Sequence, residues 1–108
     1  MDKVIITAAL TGAEVTKAHN PAVPCTVREM VREAKAASEA GAAILHIHVR
    51  EDDGTPTQAK SRYAEVLEAI AGACPDVILQ VSTGGATGMT LDERNDVLDL
   101  RPEMDSLD

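Results

Sequence analysis

The sequence predicts an α/β fold with a parallel sheet, because strand-like and helix-like segments alternate along the whole chain. Short apolar runs rich in β-branched residues are separated by segments whose apolar positions have helical spacing, in the order β-α-β-α-β-α-β. The core must be aliphatic, since the 108 residues include one Tyr and neither Phe nor Trp. Strands connected in this way form either a doubly wound sheet or a (β/α)8 barrel, and an aliphatic core suits barrel interiors.

The first βα unit is predicted from a strand, a long loop and a well-marked helix. An apolar run over residues 4–9 indicates a strand that is buried on both faces. The polar segment over residues 10–25 is longer than most loops, and loops of this length are usually functional. Thr26 and Glu29 form a capping box that opens the first helix, and Gly41 fits the position just after its end.

The later elements repeat this pattern. Further strands are predicted over residues 43–49 and 77–82, and a fourth begins at residues 104–107. Ser61 is predicted to cap the second helix, which Pro75 stops. Thr90 and Glu93 form another capping box, which opens a third helix that runs towards Leu100.

Composition excludes several functional classes. The net charge is −8 with a pI near 4.7, so a basic groove for nucleic acid is not expected. No apolar run approaches the roughly 20 residues of a membrane span, and the chain opens directly into a strand without a signal peptide. Cys25 and Cys74 lie far apart and are expected to be free thiols, so we expect a cytoplasmic protein.

Two histidines on the second strand give the strongest chemical signal. His46 and His48 are two residues apart, so on a strand their side chains point to the same face. They stand at the carboxyl end of the strand, where active sites of parallel sheets gather. Two imidazoles at this spacing can chelate one metal ion, and His is a leading zinc ligand. The spacing therefore predicts that both residues bind a metal.

Other polar residues follow neighbouring strands. Glu14 lies in the long loop after the first strand, where a carboxylate can orient a substrate or act as a base. A glycine-rich loop over residues 82–88 follows the third strand and suits an anion, although it matches neither a P-loop nor the GxGxxG fingerprint. Arg50 is either an anion clamp or a salt-bridge partner of Glu51 or Asp52. Ser106, on the fourth predicted strand, can face the same end of the sheet as these residues.

Four segments together resemble the β-keto acid cleavage enzyme family, and the resemblance runs along the whole chain. These segments are residues 7–14 (TAALTGAE), 20–21 (NP), 45–50 (LHIHVR) and 80–85 (QVSTGG). The histidine strand combined with the later serine-threonine-glycine-glycine loop is much more specific than either alone. The resemblance implies a (β/α)8 barrel, usually tetrameric, with a catalytic zinc ion. It also implies acyl exchange between a β-keto acid and acetyl-CoA, which gives acetoacetate and a new acyl-CoA.

The resemblance also assigns roles to individual residues. His46 and His48 match the two zinc-binding histidines of the family. Glu14 matches a substrate-contacting glutamate, whereas Ser82 and Gly85 match contacts to the carboxylate of the keto acid. Ser106 falls where the family places a small hydroxyl residue that contacts the same carboxylate.

The chain is short for the predicted fold, since a (β/α)8 barrel takes about 250 residues. Residues 1–108 are therefore expected to form the N-terminal part of a single barrel domain, with three βα units and the start of strand 4. The family's third zinc ligand, a glutamate, and its essential arginine and aspartate lie downstream, so the isolated chain is expected to be inactive. The alternatives are an amidohydrolase-type barrel hydrolase, although its H-x-H normally lies on the first strand, and a truncated, non-catalytic half-barrel that assembles with copies of itself.

Overall fold

Strands and helices alternate in the computed structural model, which describes residues 2–107. The strands are β1 (Thr7–Ala9), β2 (Ile44–Ile47), β3 (Val49–Arg50), β4 (Pro56–Thr57), β5 (Ile78–Val81) and β6 (Met104–Asp105). The helices are α1 (Val27–Glu39), α2 (Lys60–Ala73) and α3 (Leu91–Asn95), which a 3-10 helix continues over Asp96–Leu100. None of the helices in the described part of the chain has the length and hydropathy needed to cross a bilayer.

Four of the strands form one parallel sheet, in the order β1-β2-β5-β6. This order follows the chain without reversal, and the predicted α/β fold with a parallel sheet is confirmed. Strands β3 and β4 form a separate antiparallel hairpin, which the sequence pattern did not predict. Because the four strands of the larger sheet are parallel, the loops that follow them meet at one edge of that sheet, called here the carboxyl edge.

The core lies between the sheet and helices α1 and α2. Its fully buried members from the sheet are Leu45, Ile47 and Val81. Its buried members from the helices are Met30, Ala34, Tyr63, Val66 and Ile70. The helical members recur every three or four residues, so each helix presents one apolar stripe to the sheet. This packing fixes the position of the strands and therefore of the carboxyl edge.

The capping box predicted at the start of α1 is confirmed. Thr26 Oγ1 accepts a hydrogen bond from the Glu29 backbone N–H at 3.1 Å. The Glu29 carboxylate in turn accepts from the backbone N–H groups of Cys25 (2.8 Å) and Thr26 (3.1 Å). These bonds, of which the one from Cys25 has the largest effect, lower the pKa of Glu29 to about 2. Thr90 and Glu93 form the same arrangement at the start of α3.

The predicted cap of the second helix is wrong. Helix α2 begins at Lys60, two residues earlier than a cap at Ser61 would allow, and its N-cap Ala59 makes no side-chain hydrogen bond. The third helix also differs, because α3 ends at Asn95 and the 3-10 helix covers the rest of the predicted span. The first N–H of α2, that of Lys60, instead donates to a distant side chain, Asp96 Oδ2, at 3.3 Å.

The first strand is shorter and more exposed than its composition predicts. Val4, Ile5 and Ile6 precede β1 and are 81%, 74% and 52% exposed. An apolar run predicts burial only if another element covers it, and β1 is paired only with β2 among the described residues. The second predicted strand is divided, because β2 ends at Ile47 and β3 begins at Val49.

Arg50 is the largest fully buried side chain of the described residues, with 1% of its surface exposed. Its guanidinium donates to three backbone carbonyls: Gly12 O (2.6 and 3.2 Å), Val15 O (2.6 Å) and Gly54 O (2.9 Å). Two of these carbonyls belong to the long loop between β1 and α1. Arg50 is therefore neither an anion clamp nor a partner of Asp52, whose carboxylate pairs with Arg62 at 2.6 Å.

Loss of the Thr26 cap should destabilise the protein. In the full-length protein that carries this chain, Thr26→Ala is expected to lower the free energy of unfolding by about 1 kcal/mol, because an orphan N–H of α1 loses its acceptor. Ser61→Ala is the matched control and should change it by less than about 0.5 kcal/mol, since Ser61 caps nothing. Urea denaturation measures both. A larger effect of Ser61→Ala would contradict the observed start of α2.

Loss of the Arg50 guanidinium should release the long loop. Arg50→Leu is expected to lower the free energy of unfolding by at least about 2 kcal/mol, because three partly buried backbone carbonyls lose their donor. Trypsin cleavage after the exposed Lys17 should then be at least about tenfold faster, since proteolysis follows the population of the open loop. Arg32→Leu, on the exposed face of α1, is the control. Equal cleavage rates in the two variants would show that Arg50 does not hold the loop.

Candidate metal and substrate site

His46 and His48 lie together at the carboxyl end of β2. His46 is on the strand, whereas His48 occupies the break between β2 and β3. Their ring centroids are 5.1 Å apart with an interplanar angle of 67°, and both side chains are half-buried. The two imidazoles remain neighbours although His48 itself is outside the strand.

The spacing of these rings fits two ligands of one metal ion. With Zn–N bonds of about 2.0–2.1 Å in tetrahedral geometry, the centres of two coordinated imidazoles lie roughly 5 Å apart. Imidazole nitrogen is also a donor that zinc prefers. Within residues 2–107, no group of three or more His, Cys, Asp and Glu side chains is arranged to hold a metal ion. The described residues thus offer a pair of donors.

Gln80 is a member of this site that the sequence pattern did not reveal. It lies on β5 directly opposite His46, and its Oε1 is 2.7 Å from His46 Nδ1. Gln80 also precedes Ser82 by two residues, so side chains of a regular strand would share a face at these positions. That alternation, combined with the strand order, is the signal that points to Gln80.

Glu14 reaches the loop that follows β5. Its Oε1 accepts hydrogen bonds from both the backbone N–H and the hydroxyl of Thr87, each at 2.9 Å. These two bonds hold the pKa of Glu14 below its ordinary value, and the positive charge of Arg50 acts in the same direction. Glu14 is solvent-exposed and ionised at neutral pH, so it presents a negative charge at the carboxyl edge.

Ser82 stands at the end of β5 and is only 2% exposed. Its hydroxyl oxygen accepts from the Gly84 N–H at 3.0 Å, and a hydroxyl in that role retains its own proton to donate. Its carbonyl accepts from the buried Gln58 amide at 2.9 Å. The Tyr63 hydroxyl, 3.0 Å from Ile47 O and 3.4 Å from Ser82 O, lies between the ends of β2 and β5.

The phenol of Tyr63 is suited to this supporting role. Burial raises its pKa to about 12, so the hydroxyl stays protonated and remains a donor at neutral pH. The two strands that carry His46 and Ser82 therefore share a buried hydrogen-bonding group beneath the carboxyl edge.

Gly85 has a backbone conformation that favours glycine. Its φ is +63°, and a Cβ built there would lie 2.9 Å from Arg94 Cγ and 3.0 Å from Met89 Sδ. A side chain would therefore strain the backbone and crowd Met89 and the Arg94 side chain of α3. Gly85 keeps the loop close to α3, which is a structural reason for a glycine at a predicted substrate contact.

Ser106 follows β6 and is tied to the neighbouring strand. Its N–H donates to Val81 O at 3.1 Å, and its carbonyl accepts from the Thr83 hydroxyl at 2.8 Å. The six residues that the resemblance assigns to the site therefore lie in the last part of a strand or in the segment that follows it, at the carboxyl edge. Contacts bring together Glu14 with the β5 loop, Ser106 with the end of β5, and His46 with His48.

Comparisons with known proteins show which family the chain belongs to. The family model described as beta-keto acid cleavage enzyme matches residues 3–108. The chain is 64% identical over all of its residues to the 3-keto-5-aminohexanoate cleavage enzymes of Acetoanaerobium sticklandii and Fusobacterium nucleatum, and it covers 40% of each. It is 52% identical over 95% of its length to the 3-oxoadipate:acetyl-CoA acetyltransferase of Cupriavidus necator, covering 36% of that protein.

These matches extend over nearly every residue of the chain, including the four segments in which the resemblance is seen. The chain spans about two fifths of the length of the curated relatives it matches. The resemblance seen in the sequence is thereby confirmed: the chain belongs to the beta-keto acid cleavage enzyme family.

Proposed function

We propose that the protein carrying this chain exchanges an acyl group between a β-keto acid and acetyl-CoA, which yields acetoacetate and a new acyl-CoA. The observation that carries the proposal is the pair of neighbouring imidazoles at the carboxyl edge of a chain that belongs to this family. The names of its relatives, which include an acetyl-CoA acetyltransferase, support the reaction class.

We propose that His46 and His48 hold a zinc ion, with further ligands from outside the described residues. Zinc bound there supplies a Lewis acid that stabilises negative charge developing on the keto acid. The Ser82 hydroxyl binds the carboxylate of the substrate as a donor, and Gly85 lets the loop backbone approach it. Ser106 lies beside them at the end of β6 and takes part in the same contact.

The substrate that fits Glu14 best is a β-keto acid with an amino group. An exposed carboxylate that stays ionised attracts an ammonium group and repels a second carboxylate. The name 3-keto-5-aminohexanoate cleavage enzyme, carried by two relatives at 64% identity, describes such a substrate. The name of the relative at 52% identity describes a dicarboxylate, 3-oxoadipate.

We further propose that the sheet is the first part of a (β/α)8 barrel within a single domain. In a doubly wound sheet the strand order reverses at a switch point, whereas β1-β2-β5-β6 follows the chain throughout. The exposed apolar residues 4–6, which precede the edge strand β1, would be buried if further barrel elements packed against this edge. A homotetramer, as the resemblance implies, completes this proposal, with a cytoplasmic location that rests on the acidic composition and the two free thiols. Size-exclusion chromatography with light scattering tests the assembly.

Removal of either histidine should abolish metal binding and activity. In the full-length protein, His46→Ala and His48→Ala are each expected to lose bound zinc and to lower acyl exchange by at least about 100-fold, since even residues that only orient ligands cost 10–100-fold. The measurements are zinc content and the formation of acetoacetate from a β-keto acid and acetyl-CoA. His19→Ala is the matched control, because His19 lies in the long loop and bonds Thr16.

Three results would contradict this proposal. They are full zinc content after either substitution, cleavage of the keto acid without acetyl-CoA, and equal loss of activity in His19→Ala. A chimera in which this chain replaces the aligned segment of the Acetoanaerobium relative attributes the result to these residues. The chimera is expected to retain acyl exchange, and its His46→Ala variant is expected to lose it.

Neutralising Glu14 should change substrate preference. Glu14→Gln is expected to raise KM for 3-keto-5-aminohexanoate about tenfold or more, because a bond to a charged group is replaced by a neutral one. The KM for 3-oxoadipate should stay the same or fall, since a repelling charge is removed. Glu39→Gln, at the far end of α1, is the control. Equal changes in KM for both substrates would argue against an ammonium contact.

A further inference from the structure

Gln80 and His46 are joined across two neighbouring strands. The register of β2 and β5 pairs their Cα atoms directly, and the side chains meet at 2.7 Å between Gln80 Oε1 and His46 Nδ1. Both side chains are half-buried, so the bond is partly shielded from water. Inter-strand hydrogen bonds on both sides fix the backbone of each residue, which leaves little freedom for the two side chains to separate.

The chemistry of this pair determines the protonation of the ring. An amide oxygen has no proton, so His46 Nδ1 must carry one and donate it. In a neutral imidazole the other nitrogen, Nε2, then keeps its lone pair. A metal is bound by the unprotonated nitrogen of a neutral imidazole. The bond to Gln80 thus selects the tautomer in which Nε2 is the ligand and also fixes the plane of the ring.

We propose that Gln80 is a positioning residue for the metal site, which presents His46 Nε2 to the ion. The inference rests on the zinc site of the proposed function and adds a residue that touches neither metal nor substrate. Histidine ligands generally donate their second N–H to an acceptor, and loss of that acceptor typically costs 10–100-fold in metal affinity. His46 has this arrangement, with an uncharged amide as the acceptor.

The test measures zinc affinity and the His46 tautomer separately from catalysis. In the full-length protein, Gln80→Met removes the acceptor with little change of shape, and Gln80→Glu keeps an acceptor oxygen in place. Zinc affinity is measured by competition with a chromophoric chelator. The tautomer in the metal-free protein is read from long-range ¹H–¹⁵N correlations of the imidazole. Asp76→Leu, at the exposed amino end of β5, is the control.

Gln80→Met is expected to weaken zinc binding 10–100-fold and to leave His46 without a single dominant tautomer. Gln80→Glu should stay within about threefold of the parent, and Asp76→Leu should match it. A bond that serves only to join the strands would lower the melting temperature without changing zinc affinity or tautomer. That outcome in a folded Gln80→Met protein overturns the inference.

A failure of this inference can be told apart from a failure of the zinc site. If His46→Ala loses zinc while Gln80→Met binds it normally, the site stands and the role of Gln80 is wrong. If His46→Ala also binds zinc normally, the metal site itself is wrong, and the inference falls with it. Gln80→Leu, a second variant without an acceptor, is measured in parallel, so that the result does not depend on the folding of one protein.

Discussion

The buried guanidinium of Arg50 is the interaction on which the arrangement of the carboxyl edge depends. Removing a charge from water costs several kcal/mol unless hydrogen bonds replace its hydration. Here all three guanidinium nitrogens donate to backbone carbonyls. Two of the acceptors, Gly12 and Val15, flank Glu14 in the long loop. If the loop left the sheet, the Arg50 guanidinium would lose its hydrogen bonds to Gly12 and Val15. These bonds therefore give Glu14, which lies between the two acceptors, a defined place.

A second contact fixes the same loop from the opposite side. Glu14 accepts two hydrogen bonds from Thr87, which belongs to the loop after β5. The backbone carbonyl of Arg50 meanwhile accepts from Arg62 on α2 at 2.7 Å. The loops after β1 and β5 are therefore held by one another, by the hairpin and by a helix. A carboxyl edge whose loops are held in this way is preorganised, which lowers the free-energy cost of ordering these loops around a substrate.

The parts of the fold that local chemistry decides could be predicted from the sequence. Thr26 with Glu29 and Thr90 with Glu93 satisfy helix N–H groups within one turn, so the pattern alone identifies both helix starts. Ser61 has the same chemistry, yet α2 begins earlier, and the acceptor for its first N–H is the carboxylate of Asp96, 36 residues away. The exposure of residues 4–6 likewise depends on what covers them, which no local pattern contains.

The site likewise contains residues that the sequence pattern identifies and residues whose partners it does not reveal. Spacing alone identified His46 and His48, and it correctly predicted that they lie together, although the strand breaks at His48. Arg50 was misjudged because its neighbours in sequence are acidic, whereas two of its three partners, Gly12 and Val15, come from a loop 35 or more residues earlier. Long-range carbonyl acceptors leave no side-chain signature. The sequence therefore indicates which groups can do chemistry better than it indicates which groups hold them.

Gln80 shows what a register adds to such a pattern. The side-chain period of a strand is two, so a slip of one residue between β2 and β5 would place Leu79 or Val81 opposite His46. Neither side chain can accept a hydrogen bond, and the tautomer of His46 would no longer be selected. The register is in turn set by burial of Leu45, Ile47 and Val81. The same hydrophobic core that orders the sheet thus determines which nitrogen of His46 would be available to the proposed metal.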